Sequence, residues 1–195
     1  MGTARLEAFS DGVLAIIITI MVLELRRPDG ESWSALGHST TSLVTYVLSF
    51  VYVGIYWNNH HHMLQLTNRV SGGVLWANLH LLFWLSLYPF TTAWMDDTDV
   101  AQAPAVVYGI NLLAAAIAYY VLQQTIIAIE GPDSRLKKAI GRDVKGRLSP
   151  VIYLIGIACT FLTPWLGMAL FALVAVIWLV PDRRLENFAS AASSG

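Results

Sequence analysis

The chain has little charge. Of its 195 residues only 13% are Asp, Glu, Lys or Arg, against about a quarter in a soluble domain. The formal net charge is -1, so no basic field exists to attract nucleic acid. A single cysteine, Cys159, lies in an apolar run, and no disulfide can form within the chain. Catalytic equipment is missing as well. There is no nucleophile elbow, no His-Glu-x-x-His, no phosphate loop and no dinucleotide fingerprint. An enzyme is therefore the least supported class, and no cofactor is called for. Only eight residues precede the first apolar run and no small-residue cleavage site follows it. That run reads as a retained helix rather than a signal peptide.

What the chain has in excess is apolar sequence, 56% of it, gathered into long runs. Runs of that length are the signature of a membrane protein. Seven Trp and eight Tyr suit a protein with two interfaces to anchor. Six spans can be drawn, at about 9–25, 36–57, 74–94, 105–129, 150–162 and 165–180. The fifth and sixth are short and hinge at Thr163-Pro164-Trp165, which predicts a tight helical hairpin. The expected fold is an all-α integral membrane unit over 1–186, followed by a disordered polar tail, 187–195. Charge placement supports the count. With the N-terminus inside, 10 of the 12 Lys and Arg fall on inner segments, and only Arg26 and Arg27 fall outside. Asp96, Asp97 and Asp99 then form an outer acidic loop. Both termini are expected in the cytoplasm, in a multi-pass protein of the cell membrane. No internal repeat stands out, so an inverted-repeat transporter within one chain has little support.

The first span is the organising one. A helix rises about 1.5 Å per residue, so Phe9 to Leu25 covers roughly 25 Å of bilayer. Ser10 and Asp11 then sit at or inside the membrane boundary. A carboxylate there is costly unless paired or wetted, which makes Asp11 a functional suspect. The plainer alternative is that Asp11 caps the first turn. Farther along, His60-His61-His62 tempts a metal reading. Neighbours on a helix point about 100° apart, so three in a row cannot share one ion. The reading adopted is no metal site, with one of these histidines and a buried His80 joining a network between helices. Ser10, Asp11, Trp76, Asn78 and His80 are expected to be buried and to satisfy one another, fixing helix register. Arg5 is expected to join that network through a neighbouring helix.

On the first helix, Gly12, Ile16, Thr19 and Leu23 are spaced four, three and four apart and share one face. Copies of that face around an axis would form a narrow apolar tube with one ring of hydroxyls. Apolar constrictions gate by dewetting, and hydroxyls replace part of an ion's water shell. Every face of this helix is apolar, however, so only Thr19 marks the stripe.

Arg5-x-x-x-Phe9-Ser10-Asp11, followed by Ala15-Ile16-x-x-Thr19, resembles the signature of the transmembrane protein 175 family of potassium channels. Trp57-x-x-His60, Leu75-Trp76-x-Asn78-Leu79 and Pro89-Phe90-Thr91 extend the resemblance through the first half of the chain. The second half matches in hydropathy and span count alone. The resemblance implies six-helix units without the filter sequence Thr-Val-Gly-Tyr-Gly, which this chain also lacks. It implies a homotetramer in the bilayer, as in single-unit prokaryotic members, with potassium as the permeant ion. It further implies a fourfold pore lined by the first helix, with Ile16 as the hydrophobic constriction. Gly12, Thr19, Ile20 and Leu23 complete the expected lining. Arg5, Phe9, Ser10, Asp11, His60, Trp76, Asn78 and His80 form the expected structural network. The reading is a leak-like potassium channel. Its rivals are a proton-coupled or proton-conducting transporter using Asp11 and His80, and a non-conducting membrane scaffold.

Overall fold

In the computed structural model, residues 2–28, 30–141 and 143–179 are described. All regular structure among them is helical. The elements are α1 (Thr3–Leu23), α2 (Trp33–His38), α3 (Thr40–Gln65), α4 (Gly72–Ser86), α5 (Tyr88–Asp97) and α6 (Gln102–Glu130), then α7 (Arg135–Ile140), α8 (Val144–Thr160) and α9 (Pro164–Leu179). A one-turn 3-10 segment, Gly131–Asp133, links α6 to α7. Four segments are long and apolar enough to cross a membrane: Thr3–Leu23, Thr40–Gln65, Gly72–Asp97 and Gln102–Asp133. The sixteen-residue α9 is apolar but shorter. The end of the expected sixth span, Arg183, Arg184 and the tail 187–195 lie outside the described residues.

Several boundaries differ from the hydropathy reading. Helix α1 starts six residues before Phe9, so Asp11 lies two turns inside it. That overturns the capping alternative for Asp11. Helix α3 runs eight residues past Trp57 and takes the whole Asn58–His62 stretch into the helix. A polar run need not end a helix when its side chains find partners. The third span is broken at Leu87, with Pro89 at the start of α5. Proline has no N–H, and its ring clashes with the turn before it, so α4 stops at Ser86. Helix α8 starts six residues before Pro150 because Asp143 caps it, accepting the Gly146 N–H at 3.0 Å.

The bundle has two chemically different ends. At one, Arg26 after α1 pairs with Asp97 of α5 at 2.6 Å. There Thr41 of α3 donates to Asp99 at 2.8 Å, and Ser42 donates to Asp96. At the other end, the Asn68 N–H after α3 donates to Glu130 of α6 at 2.6 Å. Ser134 donates to the second Glu130 oxygen at 2.9 Å. Among the described residues, seven Lys or Arg (5, 69, 135, 137, 138, 145, 147) sit at this second end and two (26, 27) at the first.

Close packing in the second half rests on glycine. A Cβ on Gly109 of α6 would come 2.5 Å from the Phe171 ring, and one on Gly156 of α8 would come equally close. Phe171 of α9 is fully buried between them. Such small-residue contacts let membrane helices approach without a hydrophobic driving force. Gly156→Ala is therefore expected to overpack the α6–α8–α9 contact, at a cost of about 1–3 kcal/mol. The check is the thermal unfolding midpoint in mild detergent, and Phe171→Leu in the same chain should restore part of the loss.

Candidate functional site

Helix α1 has two faces of opposite character. Leu6, Ser10, Leu14, Ile17 and Met21 are buried against the chain's own bundle, at spacings of four, four, three and four. The other face carries Arg5, Phe9, Gly12, Ile16, Thr19, Ile20 and Leu23, all exposed. Ile16 is 59% exposed and Leu23 80%. Nothing lies within 4 Å of where a Gly12 side chain would stand. The stripe that only Thr19 marks in the sequence thus lies within the wider arc that one chain leaves uncovered, which also includes Ala8, Ala15 and Val22. The Thr19 hydroxyl donates to the Ile16 carbonyl at 2.8 Å. Its hydrogen is committed to the backbone, which leaves oxygen lone pairs facing outward.

The buried face of α1 is held by a directional chain of hydrogen bonds. Ser10 Oγ donates to the Leu6 carbonyl at 2.9 Å. Asn78 Nδ2 of α4 donates to Ser10 Oγ at 3.0 Å. Asn78 Oδ1 then accepts from His60 Nε2 of α3 at 2.7 Å. Because Asn78 turns its acceptor to His60, it is Nε2 of the imidazole that carries a proton. His60 Nδ1 is left buried without a partner among the described residues. The chain ties α1, α3 and α4 together through groups that are all essentially buried.

A second set of contacts joins α1 to α3 nearer the surface. Trp57 Nε1 donates to Asp11 Oδ1 at 3.0 Å. Glu7 Oε1 lies 2.5 Å from His61 Nδ1, and His61 Nε2 lies 2.8 Å from Gln65 Nε2. The two bonded histidines thus reach opposite partners, His60 toward Asn78 and His61 toward Glu7, as the 100° helical rotation requires.

The sequence grouped two residues wrongly. Trp76 is 76% exposed, and His80 is also exposed. His80 Nε2 accepts from Trp84 Nε1 of its own helix at 3.0 Å and takes no part in the Ser10–Asn78–His60 chain. The reason is helical geometry. Trp76 and His80 are four apart and share a face, while Asn78, two residues from each, points about 200° away. With Asn78 inside, both neighbours must be outside. Asp11 is half-buried rather than buried. Arg5 is exposed, and among the described residues no hydrogen bond joins it to Asp11. The sequence also gave no sign that Glu7 would meet His61, a contact that depends on α3 continuing as a helix past Trp57.

Comparison with known proteins places this geometry. The family model for the endosomal/lysosomal potassium channel TMEM175 matches residues 5–89, the stretch that contains both faces of α1 and all of the α1–α3–α4 network. A potassium channel of Chryseobacterium sp. is 53% identical over 187 residues, which is 96% of this chain and 97% of that protein. The crystal structure of a lysosomal potassium-selective channel TMEM175 homolog from Chamaesiphon minutus superposes with a TM-score of 0.78 at 30% identity. It covers 92% of this chain and 97% of that one. An endosomal/lysosomal proton channel TMEM175 of Danio rerio is 27% identical over 65% of this chain and 24% of its own length.

Proposed function

The chain belongs to the TMEM175 family, and from that membership we propose that it is a potassium channel whose pore is lined by the exposed face of α1. The observation that carries this reading is the uncovered stripe Gly12–Ile16–Thr19–Leu23, opposite a face locked by Ser10 and Asn78. A homotetramer around that stripe gives a fourfold pore of narrow apolar rings with one ring of Thr19 oxygens. With its hydrogen given to the Ile16 carbonyl, each Thr19 hydroxyl offers a lone pair to a cation. Ile16 forms the apolar constriction, and conduction requires that ring to wet. Ile20 and Leu23 continue the lining toward the outer mouth. Helices α8 and α9 complete six spans as a short hairpin. The end rich in Lys and Arg faces the cytoplasm of a cell-membrane protein, by the positive-inside rule. Chemistry on a substrate plays no part, since a channel only passes ions down their gradient.

The transporter alternative loses its central pair, because His80 points away from Asp11 and its network. The test is potassium and sodium flux from liposomes holding the purified protein. Potassium should leave faster than sodium. Thr19→Ala should cut that preference by about fivefold, the equivalent of about 1 kcal/mol for one lost hydroxyl interaction. No flux of either ion from folded, oligomeric protein would overturn the reading.

A further inference from the structure

At the Lys- and Arg-rich end, a chamber of about 70 Å³ lies under α7 between α3, α6, α8 and α9. On the measure by which one water needs about 10–15 Å³, that is room for about five waters or for one compact organic group. None of Gly12, Ile16, Thr19 or Leu23 borders it, so it is separate from the exposed face of α1. Six aromatic rings stand in its wall: Tyr52, Tyr56, Tyr119, Tyr120, Tyr153 and Trp178. Three of them are tied by their own polar atoms. Tyr52 donates to the Phe171 carbonyl at 2.5 Å, Tyr119 to the Asn59 carbonyl at 3.2 Å, and Trp178 Nε1 to Ser149 Oγ at 2.8 Å. Those donors are committed to the protein, and the rings are fixed as surfaces.

The polar part of the wall is small. Gln123 is 5% exposed, borders the chamber and makes no hydrogen bond among the described residues. Asp143 borders it from left-handed backbone, with φ at 36°. An N-cap residue ordinarily has extended backbone, so capping α8 does not by itself explain that conformation. Gly146 makes room for the carboxylate, since a side chain there would collide with it. Lys145 borders the chamber as well.

Close packing alone would shut this space, because folded interiors leave few voids larger than a water. Water fills it poorly. A buried water takes about three hydrogen bonds, and here it would find rings on most sides. A primary ammonium fares no better, since it is strongly hydrated and would trade that water for few oxygens. An alkylated ammonium loses little, because it has no N–H to satisfy and its charge is spread over methyl groups. Ring faces are negative, and aromatic cages are the usual way to hold such a group. We propose that the chamber is a binding site for a quaternary ammonium group, the trimethylammonium head of a free small cation or of a lipid. Its methyl groups lie on the rings and the Asp143 carboxylate balances its charge. The free amide of Gln123 takes a polar group carried next to the nitrogen, such as the hydroxyl of choline. The site does not depend on which helix lines the pore.

The experiment is calorimetric titration of the purified full chain in maltoside micelles with choline and with two isosteres in which carbon replaces the nitrogen, neutral dimethylbutanol and anionic dimethylbutanoate. Choline is expected to bind about tenfold tighter than dimethylbutanol, and dimethylbutanoate more weakly still. Asp143→Asn keeps the α8 cap and removes the charge, and should weaken choline about fivefold. Trp178→Leu should weaken it by about as much. Gln123→Leu should weaken choline about threefold and leave tetramethylammonium, which has no hydroxyl, unchanged. Thr19→Ala should bind choline as the wild type does. Equal binding of choline and dimethylbutanol, or tighter binding of dimethylbutanoate, overturns the proposal. So does choline binding that survives both Asp143→Asn and Trp178→Leu, or that is lost in Thr19→Ala, which would put the cation in the pore. Displacement of choline by short-chain phosphatidylcholine but not by phosphatidylglycerol of the same chains assigns the group to a lipid head. Displacement by neither assigns it to a free cation, and displacement by both means that an acyl chain fills the chamber and the proposal fails.

Discussion

Ile16→Asn is expected to raise cation flux by about tenfold and to raise sodium more than potassium. Ile16 is exposed on the one face of α1 that the subunit leaves open. In a fourfold assembly its four side chains meet at the axis. An ion crossing that ring sheds water and finds only methyl groups in return, so the barrier is one of dewetting. Burying one such side chain is worth about 1.5–3 kcal/mol of aversion to water. Replacing it with an amide of similar length removes most of that term and supplies oxygen and N–H groups in its place. A change of about 1.4 kcal/mol in barrier height is a factor of ten in rate. Sodium gains more because its tighter water shell made the dry ring a higher barrier. Leu23→Asn should do less, since Leu23 is the last residue of α1 and adjoins the polar residues of the acidic end. The measurement is paired potassium and sodium flux at equal protein content. Unchanged flux in Ile16→Asn, with Thr19→Ala still altering selectivity, would move the constriction off Ile16.

The approximate place of the four long apolar segments was legible in the sequence because hydrophobic length is a local property. Helix ends were less so. The run Asn58-Asn59-His60-His61-His62 reads as the end of a span, yet α3 passes through it because Glu7 and Asn78 on other helices supply partners. No window along the chain contains that information. The uncovered face of α1 was hidden for a different reason. In a membrane both the lipid-facing and the protein-facing sides of a helix are apolar, so periodicity fades and only Thr19 broke the tie. Structure shows which face packs inside the subunit, through the burial of Leu6, Ser10, Leu14, Ile17 and Met21. The break at Leu87 was within reach, since Pro89 was visible inside the third span and proline disrupts the preceding turn. The exposure of Trp76 and His80 was also within reach, given their spacing from Asn78. The buried contacts of Ser49 with Thr92 and Tyr108 were not, because these residues sit on three helices and converge only in the folded bundle.

Asn78→Leu is expected to be the most damaging single change to the fold that spares the pore lining. Asn78 is the central member of the chain linking α3, α4 and α1, and it is fully buried. Leucine fits the volume but neither donates nor accepts. The His60 N–H loses its acceptor and the Ser10 oxygen loses its incoming donor, both where water does not reach. Each orphaned group costs about 1–3 kcal/mol, so the pair costs about 2–6 kcal/mol. Membrane hydrogen bonds average lower than this when both partners can re-pair in the unfolded state. The higher figure applies here because the damage is done by stranding groups in the folded one. Ser10→Ala should cost less, about 1 kcal/mol, since it strands one amide hydrogen and keeps the His60–Asn78 bond. In the double variant the two costs should not add, because both remove the same Asn78–Ser10 contact. The readout is the unfolding midpoint in mild detergent, with potassium flux of the surviving fraction beside it. A weakened midpoint with unaltered selectivity in that fraction would assign Asn78 to holding α1 in place. An unchanged midpoint would mean that the helices are held by packing alone, and that the buried chain from His60 to Leu6 is incidental to it.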